Sequence, residues 1–176
     1  MATTYPARAK TGLRSRDVQN PLFKEAEARV LAWLEAQDFQ VVDARAAKTY
    51  FDFRIGAPGA ENLAVFTLDV KCDQYAASTG RVAWETHAAT RGYTRLSWGL
   101  NPNLDYVAFV LPSNNPQWTL LLVDAGKVRA ALDTLVAGRD YRPFDKQGED
   151  ARQAEGLAIQ LATLYRLGAV VREASV

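Results

Sequence analysis

Cysteine and histidine are almost absent from this sequence, and their scarcity excludes several kinds of site. Cys72 is the only cysteine and His87 the only histidine. A lone cysteine cannot form an intrachain disulfide, and one cysteine with one histidine cannot supply a Cys/His zinc site. A Ser-His-Asp hydrolase would have to use His87, which follows Thr86 and does not belong to a nucleophile elbow.

Long apolar runs and phosphate-binding glycine motifs are missing as well. No stretch approaches the roughly 20 apolar residues of a membrane span, and the N-terminus has no hydrophobic signal core. No GxGxxG motif occurs, and Gly126-Lys127 has Leu121 where a P-loop has its first glycine. We therefore expect a cytoplasmic protein that does not bind nucleotides through either motif.

The charge is nearly balanced, but its distribution is uneven. The chain has 176 residues with 21 Lys and Arg against 20 Asp and Glu, a length that suits one domain. The N-terminal segment is basic because four cations precede the first acid, Asp17: Arg8, Lys10, Arg14 and Arg16. We expect a basic arm over residues 1–20 that can contact DNA phosphates, followed by a single domain over residues 21–176.

Residues 65–73, with the sequence VFTLDVKCD, form a strand-like run that carries charge where a buried strand carries none. Side chains of a strand alternate between its two faces. The apolar face holds Phe66, Leu68, Val70 and Cys72, and the polar face holds Thr67, Asp69, Lys71 and Asp73. The polar face is either solvated or lines a functional cleft, since burial of unpaired charge is costly.

The remaining pattern predicts an α/β domain with a central mixed β-sheet flanked by helices. We predict helices over residues 21–37, 124–138 and 149–167, with Asp124 as the N-cap of the second. The predicted strands cover residues 39–42, 50–55, 65–73, 81–86, 106–111 and 118–123.

Three further acids lie in or near apolar segments. Glu27 falls on or at the edge of the apolar stripe of the first helix, Asp52 lies in an aromatic run, and Glu85 follows Trp84 in a predicted strand. If the strands of Asp52 and Asp69 pair as a hairpin, their carboxylates come close together.

The ordered set of Asp52 and Asp69-Val70-Lys71 resembles the acid, loop, acid-x-Lys pattern of the PD-(D/E)XK nuclease superfamily. Phe51 stands where the motif has proline. The resemblance spans roughly residues 21–125. A finer resemblance, to small and mostly uncharacterised bacterial and phage members, rests on residues 69–73, Thr79-Gly80, Trp84-Glu85 and Asp105-Tyr106.

The resemblance implies a restriction-endonuclease-like core and Mg²⁺- or Mn²⁺-dependent hydrolysis of DNA. Asp52 and Asp69 would bind the ion, the Val70 carbonyl is a further candidate ligand, and Lys71 would orient or activate the attacking water. Glu27, which matches the family's helix acid, or Glu85, which we favour for its neighbouring strand, would be the additional acid. Related nucleases often form homodimers, so a dimer is an open expectation.

A non-enzymatic interpretation competes with this one. The same fold can serve as a catalytically inactive module that binds DNA or protein, with the acids retained as structural ion pairs. Intact Asp52, Asp69 and Lys71 favour the enzyme.

Overall fold

The structure is a computed structural model that describes residues 11–12, 21–45, 51–57, 66–90, 93–138, 141–147 and 152–176. The helices are α1 (Pro21–Glu35), α2 (Ala76–Thr79), α3 (Ala125–Gly138) and α4 (Leu161–Arg166), and a 3₁₀ turn covers Trp98–Leu100. The strands are β1 (Thr11–Gly12), β2 (Gln40–Asp43), β3 (Phe53–Gly56), β4 (Phe66–Cys72), β5 (Arg81–Thr90), β6 (Tyr93–Leu96), β7 (Tyr106–Leu111), β8 (Thr119–Asp124), β9 (Tyr141–Gln147), β10 (Arg152–Gln160) and β11 (Val170–Ser175). Within these residues, no helix is long and apolar enough to cross a membrane.

A six-stranded mixed sheet forms the centre of the fold, with the order β11-β8-β7-β4-β3-β2. Strands β4 and β7 are parallel, and every other neighbouring pair in this sheet is antiparallel. The apolar run of β7 matches its position, because a central strand is covered on both faces. The prediction of an α/β protein with a mixed sheet flanked by helices is confirmed.

The two faces of the central sheet are covered by different elements. Helix α1 covers the face that carries Leu68 and Val70, through its buried Ala26, Val30 and Leu34. These three residues recur every fourth position, which aligns them along one side of a helix. The opposite face packs against the second sheet and α3 through Val107, Phe109, Leu121, Val123, Val82, Trp84, Leu157, Ile159, Val128 and Leu132.

The second sheet has the order β1-β9-β10-β5-β6. The side chains of its strand β5 alternate between the two faces, with Val82, Trp84 and Thr86 buried. The pairing of β5 with β10 shifts at Thr86, since Glu85 pairs with Gly156 and His87 pairs with Glu155. Such an irregularity bends a strand and redirects its side chains.

Two predicted elements differ from the structure. The helix over residues 149–167 is wrong in its first part, because residues 152–160 form β10 between β5 and β9. Leu157 and Leu164 are both buried, yet Leu157 lies in the strand and Leu164 in the short α4. The strand predicted from residue 50 begins at Phe53, so Asp52 lies in a bend before it.

The predicted boundaries elsewhere agree within a few residues. Asp124 caps α3 as expected, because its Oδ1 accepts the Lys127 backbone N–H at 2.9 Å. Of the predicted N-terminal arm, only Thr11–Gly12 falls among the described residues, where it pairs with β9.

Candidate active site

Strand β4 carries Asp69 and Lys71 on the face opposite α1. Asp69 is paired in register with Val107 and Lys71 with Phe109, and both partners belong to the core between the two sheets. Cross-strand neighbours point to the same side of a sheet, so Asp69 and Lys71 lie on the face that is turned towards the second sheet. Asp69 is 4% exposed.

An ion pair joins the two side chains, with Lys71 Nζ 2.6 Å from Asp69 Oδ2. Asp69 Oδ2 accepts no directional hydrogen bond from the described part of the chain, so the ion pair is its main polar contact. The Lys71 side chain is 29% exposed and the Asp69 side chain 6%. The lysine therefore forms the solvent-facing side of the pair.

Asp52 reaches the same place from the bend before β3. Its backbone N–H donates to Leu68 O at 3.0 Å, and its Oδ2 accepts the Val70 N–H at 2.8 Å. These two contacts fix the Asp52 carboxylate beside β4. The predicted approach of Asp52 to Asp69 is thus present, although Asp52 itself lies outside the strand.

Electrostatics distinguish Asp69 from an ordinary carboxyl group. Burial raises the pKa of Asp69, the positive charge of Lys71 lowers it, and the nearby Asp52 carboxylate raises it again, with a result of about 7. Asp69 therefore loses its proton only near neutral pH, and any added cation beside Asp52 and Asp69 would favour the ionised form.

Lys71 is surrounded by negative charge. Burial lowers the pKa of its ammonium, but Asp69, Asp52 and Glu85 together outweigh burial and raise that pKa above its usual value. Lys71 is consequently protonated at neutral pH.

Glu85, predicted from the sequence as a candidate for the additional acid, lies near enough to Lys71 for its charge to raise the pKa of the ammonium. Its Oε2 accepts a hydrogen bond from Ser97 Oγ at 3.1 Å. The adjoining Trp98 ring has its centroid 5.1 Å from Lys71 Nζ, and it packs edge-on against Trp84 at 5.0 Å.

Sequence reasoning did not connect Ser97 and Trp98 with Lys71. The available signal was Gly99, because glycine marks places where another backbone approaches closely. A Cβ at Gly99 would lie 2.1 Å from Glu85 O, and Gly99 O accepts the Trp84 Nε1–H at 3.1 Å. Gly99 thus allows the 3₁₀ turn to lie directly on β5.

Other predicted residues lie elsewhere or serve other contacts. Glu27 is on α1, on the other side of the central sheet from Lys71, and forms an ion pair with Arg45. The Val70 side chain packs in the core against α1, and its carbonyl as a metal ligand stays a prediction. The four predicted DNA contacts, Arg8, Lys10, Arg14 and Arg16, lie outside the described residues.

Metal ligands of the usual kind are few at this site. Across the described ranges, no group of three or more His, Cys, Asp or Glu side chains is arranged to hold a metal ion. The charge of Asp52 acts on Asp69, so these two carboxylates are the candidates for any cation at this place.

A cleft of about 260 Å³ lies away from these acids, at the starts of β4, β7 and α3. Its lining comprises Phe66, Asp105, Tyr106, Asp124, Gly126 and Arg129. Both acids already accept hydrogen bonds, Asp105 from Thr67 and Asp124 from Lys127. The charge cluster around Lys71 is therefore the stronger candidate site.

Comparison of the chain with protein-family models, curated proteins and solved structures finds no match.

Proposed function

We propose that this protein is a divalent-metal-dependent nuclease that hydrolyses phosphodiester bonds in DNA. The observation that carries the proposal is the meeting of Asp52 and Asp69 beside the ammonium of Lys71, in a layer between two sheets. Their order along the chain is that of the PD-(D/E)XK pattern.

The topology around these residues supports a restriction-endonuclease-like core. Helix α1 is followed by the antiparallel strands β2, β3 and β4, with Asp52 in the bend just before β3 and Asp69 in β4. The resemblance implies this arrangement, a helix followed by a mixed sheet with catalytic acids on its central hairpin.

The acids fit a hard cation. Burial and, to a smaller extent, the charge of Asp52 raise the pKa of Asp69, so an added positive charge would stabilise the ionised pair of acids. When bound, Mg²⁺ or Mn²⁺ would polarise a phosphate oxygen and make a coordinated water more acidic. The Asp52 carboxylate would meet the ion in a fixed orientation, because its Oδ2 accepts a hydrogen bond from the Val70 N–H.

Lys71 would contribute as a cation and not as a base. Its raised pKa keeps the ammonium protonated at neutral pH, so it can donate hydrogen bonds to the attacking water or to a phosphate oxygen but cannot take up a proton. A fixed positive charge at this place would stabilise the negative charge that develops on the phosphate in the transition state.

The test is a DNA cleavage assay with Mg²⁺, with Mn²⁺ and with chelator. We expect metal-dependent cleavage that falls roughly hundredfold or more in Asp69→Asn and in Lys71→Met, because each change removes charge from the reacting centre. Matched controls are Asp133→Asn and Lys24→Met, which alter exposed helix residues and should leave cleavage unchanged. Undiminished cleavage in folded Asp69→Asn and Lys71→Met would contradict the assignment.

One observation favours the inactive binding module as a second candidate. The ion pair of Asp69 and Lys71 compensates the buried charge without a metal ion. A module of this kind would bind DNA with strong salt dependence but would not cleave it. Replacing Arg8, Lys10, Arg14 and Arg16 together by serine should weaken DNA binding under either function, and the same samples would show whether the protein dimerises.

A further inference from the structure

The residues around Lys71 include two that the PD-(D/E)XK pattern does not contain. Ser97 and the 3₁₀ turn that begins at Trp98 follow directly after β6, and both residues are buried. Ser97 is anchored by its backbone N–H, which donates to Thr86 O at 2.9 Å. Trp98 is anchored by its packing against Trp84 and Phe109. The turn is therefore a rigid part of the layer between the sheets.

The two anchored residues act on the Lys71 ammonium in different ways, Trp98 directly and Ser97 through Glu85. The Trp98 ring centroid lies 5.1 Å from Nζ, within the distance at which an aromatic face attracts a cation. Ser97 holds the Glu85 carboxylate through its Oγ, and Glu85 is one of the acids whose charge acts on Lys71.

A lysine needs such support to serve as a fixed charge. Its side chain has four rotatable bonds, and its ammonium is a point charge without the planar geometry of arginine. If Asp69 were the only partner of the ammonium, a metal ion bound to Asp69 would compete with the ammonium for that carboxylate. Contacts with Trp98 and Glu85 would keep the ammonium in place when the Asp69 carboxylate binds a metal ion.

We propose that Ser97 and Trp98 are positioning residues that, with Glu85, form a seat for the Lys71 ammonium independent of Asp69. Glu85 then acts as a counter-charge for Lys71 and not as a ligand of a second metal ion. The catalytic consequence of the seat rests on the proposed nuclease function, whereas its existence does not.

The seat can be measured without any activity. The aromatic ring should shift the Cε protons of Lys71 upfield in NMR spectra of lysine-labelled protein, with Lys71→Arg used to assign the signal. We expect Ser97→Ala to lose at least about half of this shift, since Ser97 Oγ then no longer orients the Glu85 carboxylate. Ser97→Thr, which keeps the hydroxyl, should retain it, and Ser113→Ala, an exposed serine, should not change it.

Addition of Mg²⁺ gives a second reading from the same spectra. The Lys71 shift should persist or increase, because the ammonium stays on Trp98 when Asp69 engages the ion. An unchanged shift in Ser97→Ala, or loss of the wild-type shift on addition of Mg²⁺, would overturn the proposed seat.

In the cleavage assay, Ser97→Ala should lower kcat roughly tenfold, the size expected for one lost hydrogen bond, with KM for DNA and the metal requirement unchanged. Ser97→Thr should restore most of kcat. An equal loss in both variants would indicate a packing effect and would overturn the positioning role. Failure of the wild type to cleave DNA would instead refute the nuclease function, while the NMR result decides the seat alone.

Discussion

Two clusters of acids and cations in this protein respond to their surroundings in opposite ways. In the exposed cluster, Arg45 lies between Asp43 and Glu27, and its side-chain and backbone hydrogen bonds lower the pKa of Asp43 to about 2. In the buried cluster, burial outweighs Lys71 and raises the pKa of Asp69 to about 7. The same type of ion pair therefore stabilises the ionised acid on the surface and leaves it unstable between the sheets.

The difference indicates which cluster is structural. The exposed acids Asp43 and Glu27 already have their charge compensated by hydrogen bonds from Arg45, so we expect them to bind a further cation weakly. The buried pair of Asp69 and Lys71 has two further carboxylates nearby, those of Asp52 and Glu85, so negative charge exceeds positive charge in a place with little access to water.

The largest effect on stability is expected from removal of the partly buried Lys71 ammonium. Lys71→Met should lower the free energy of unfolding by about 3–5 kcal/mol near neutral pH, because Asp69 and Asp52 then lack compensation. The loss should be smaller near about pH 5, where Asp69 can keep its proton. Chemical denaturation at the two pH values measures this, with Lys24→Met as control, and an equal loss at both would contradict the role assigned to Asp69.

The pH dependence of stability should reveal the raised pKa of Asp69. Between about pH 4 and pH 7 the unfolded chain has released this proton while the folded chain retains it, so stability should fall as pH rises. This pH-dependent part of the free energy of unfolding is roughly 2–4 kcal/mol, and it should be absent in Asp69→Asn. Above about pH 7, Asp69→Asn should be more stable than the wild type because it has no buried carboxyl group to ionise. Asp43 should give the opposite pH dependence. Its lowered pKa stabilises the fold above about pH 4, this stabilisation is lost as the pH falls towards 2, and Asp43→Asn should remove that dependence.

A metal ion should act on the buried cluster alone. At about ten times its dissociation constant, Mg²⁺ or Mn²⁺ should stabilise the wild type by roughly 1.4 kcal/mol, seen as a rise of a few degrees in Tm. Asp69→Asn should lose this rise and Asp43→Asn should keep it. A rise that persists in Asp69→Asn would place the ion elsewhere.

The smallest effect is expected from the exposed cluster. Arg45→Met should change stability by less than about 1 kcal/mol, as is usual for exposed ion pairs. Glu27→Gln should leave both stability and the metal-induced rise in Tm nearly unchanged. Loss of the rise in Tm in Glu27→Gln would instead assign Glu27 as the additional acid of the metal site.

Local sequence patterns were sufficient to predict an element when its signal lies within the element itself. The apolar spacing of α1, the continuous run of β7 and the capping acid Asp124 each carry their own signal. The mixed sheet and the approach of Asp52 to Asp69 followed from the order of these elements.

Long-range pairing decided what local patterns could not. Leu157, Leu161 and Leu164 recur at helical spacing, but residues 152–160 form a strand because β5 and β9 supply partners on both sides. The polar face of β4 carried no signal that a second sheet would cover it. Ser97 and Trp98 could not be connected to Lys71 without the close approach that Gly99 permits.

The parallel pairing of β4 with β7 has a kinetic consequence. Residues 73–105 leave the central sheet between these strands and contain Glu85, Ser97 and Trp98. The chain must close this long loop before the two strands can join, and such closure is a slow event in folding. The charge cluster and the middle of the sheet should therefore assemble together, so a chain interrupted within this excursion would lose the site and the sheet at the same time.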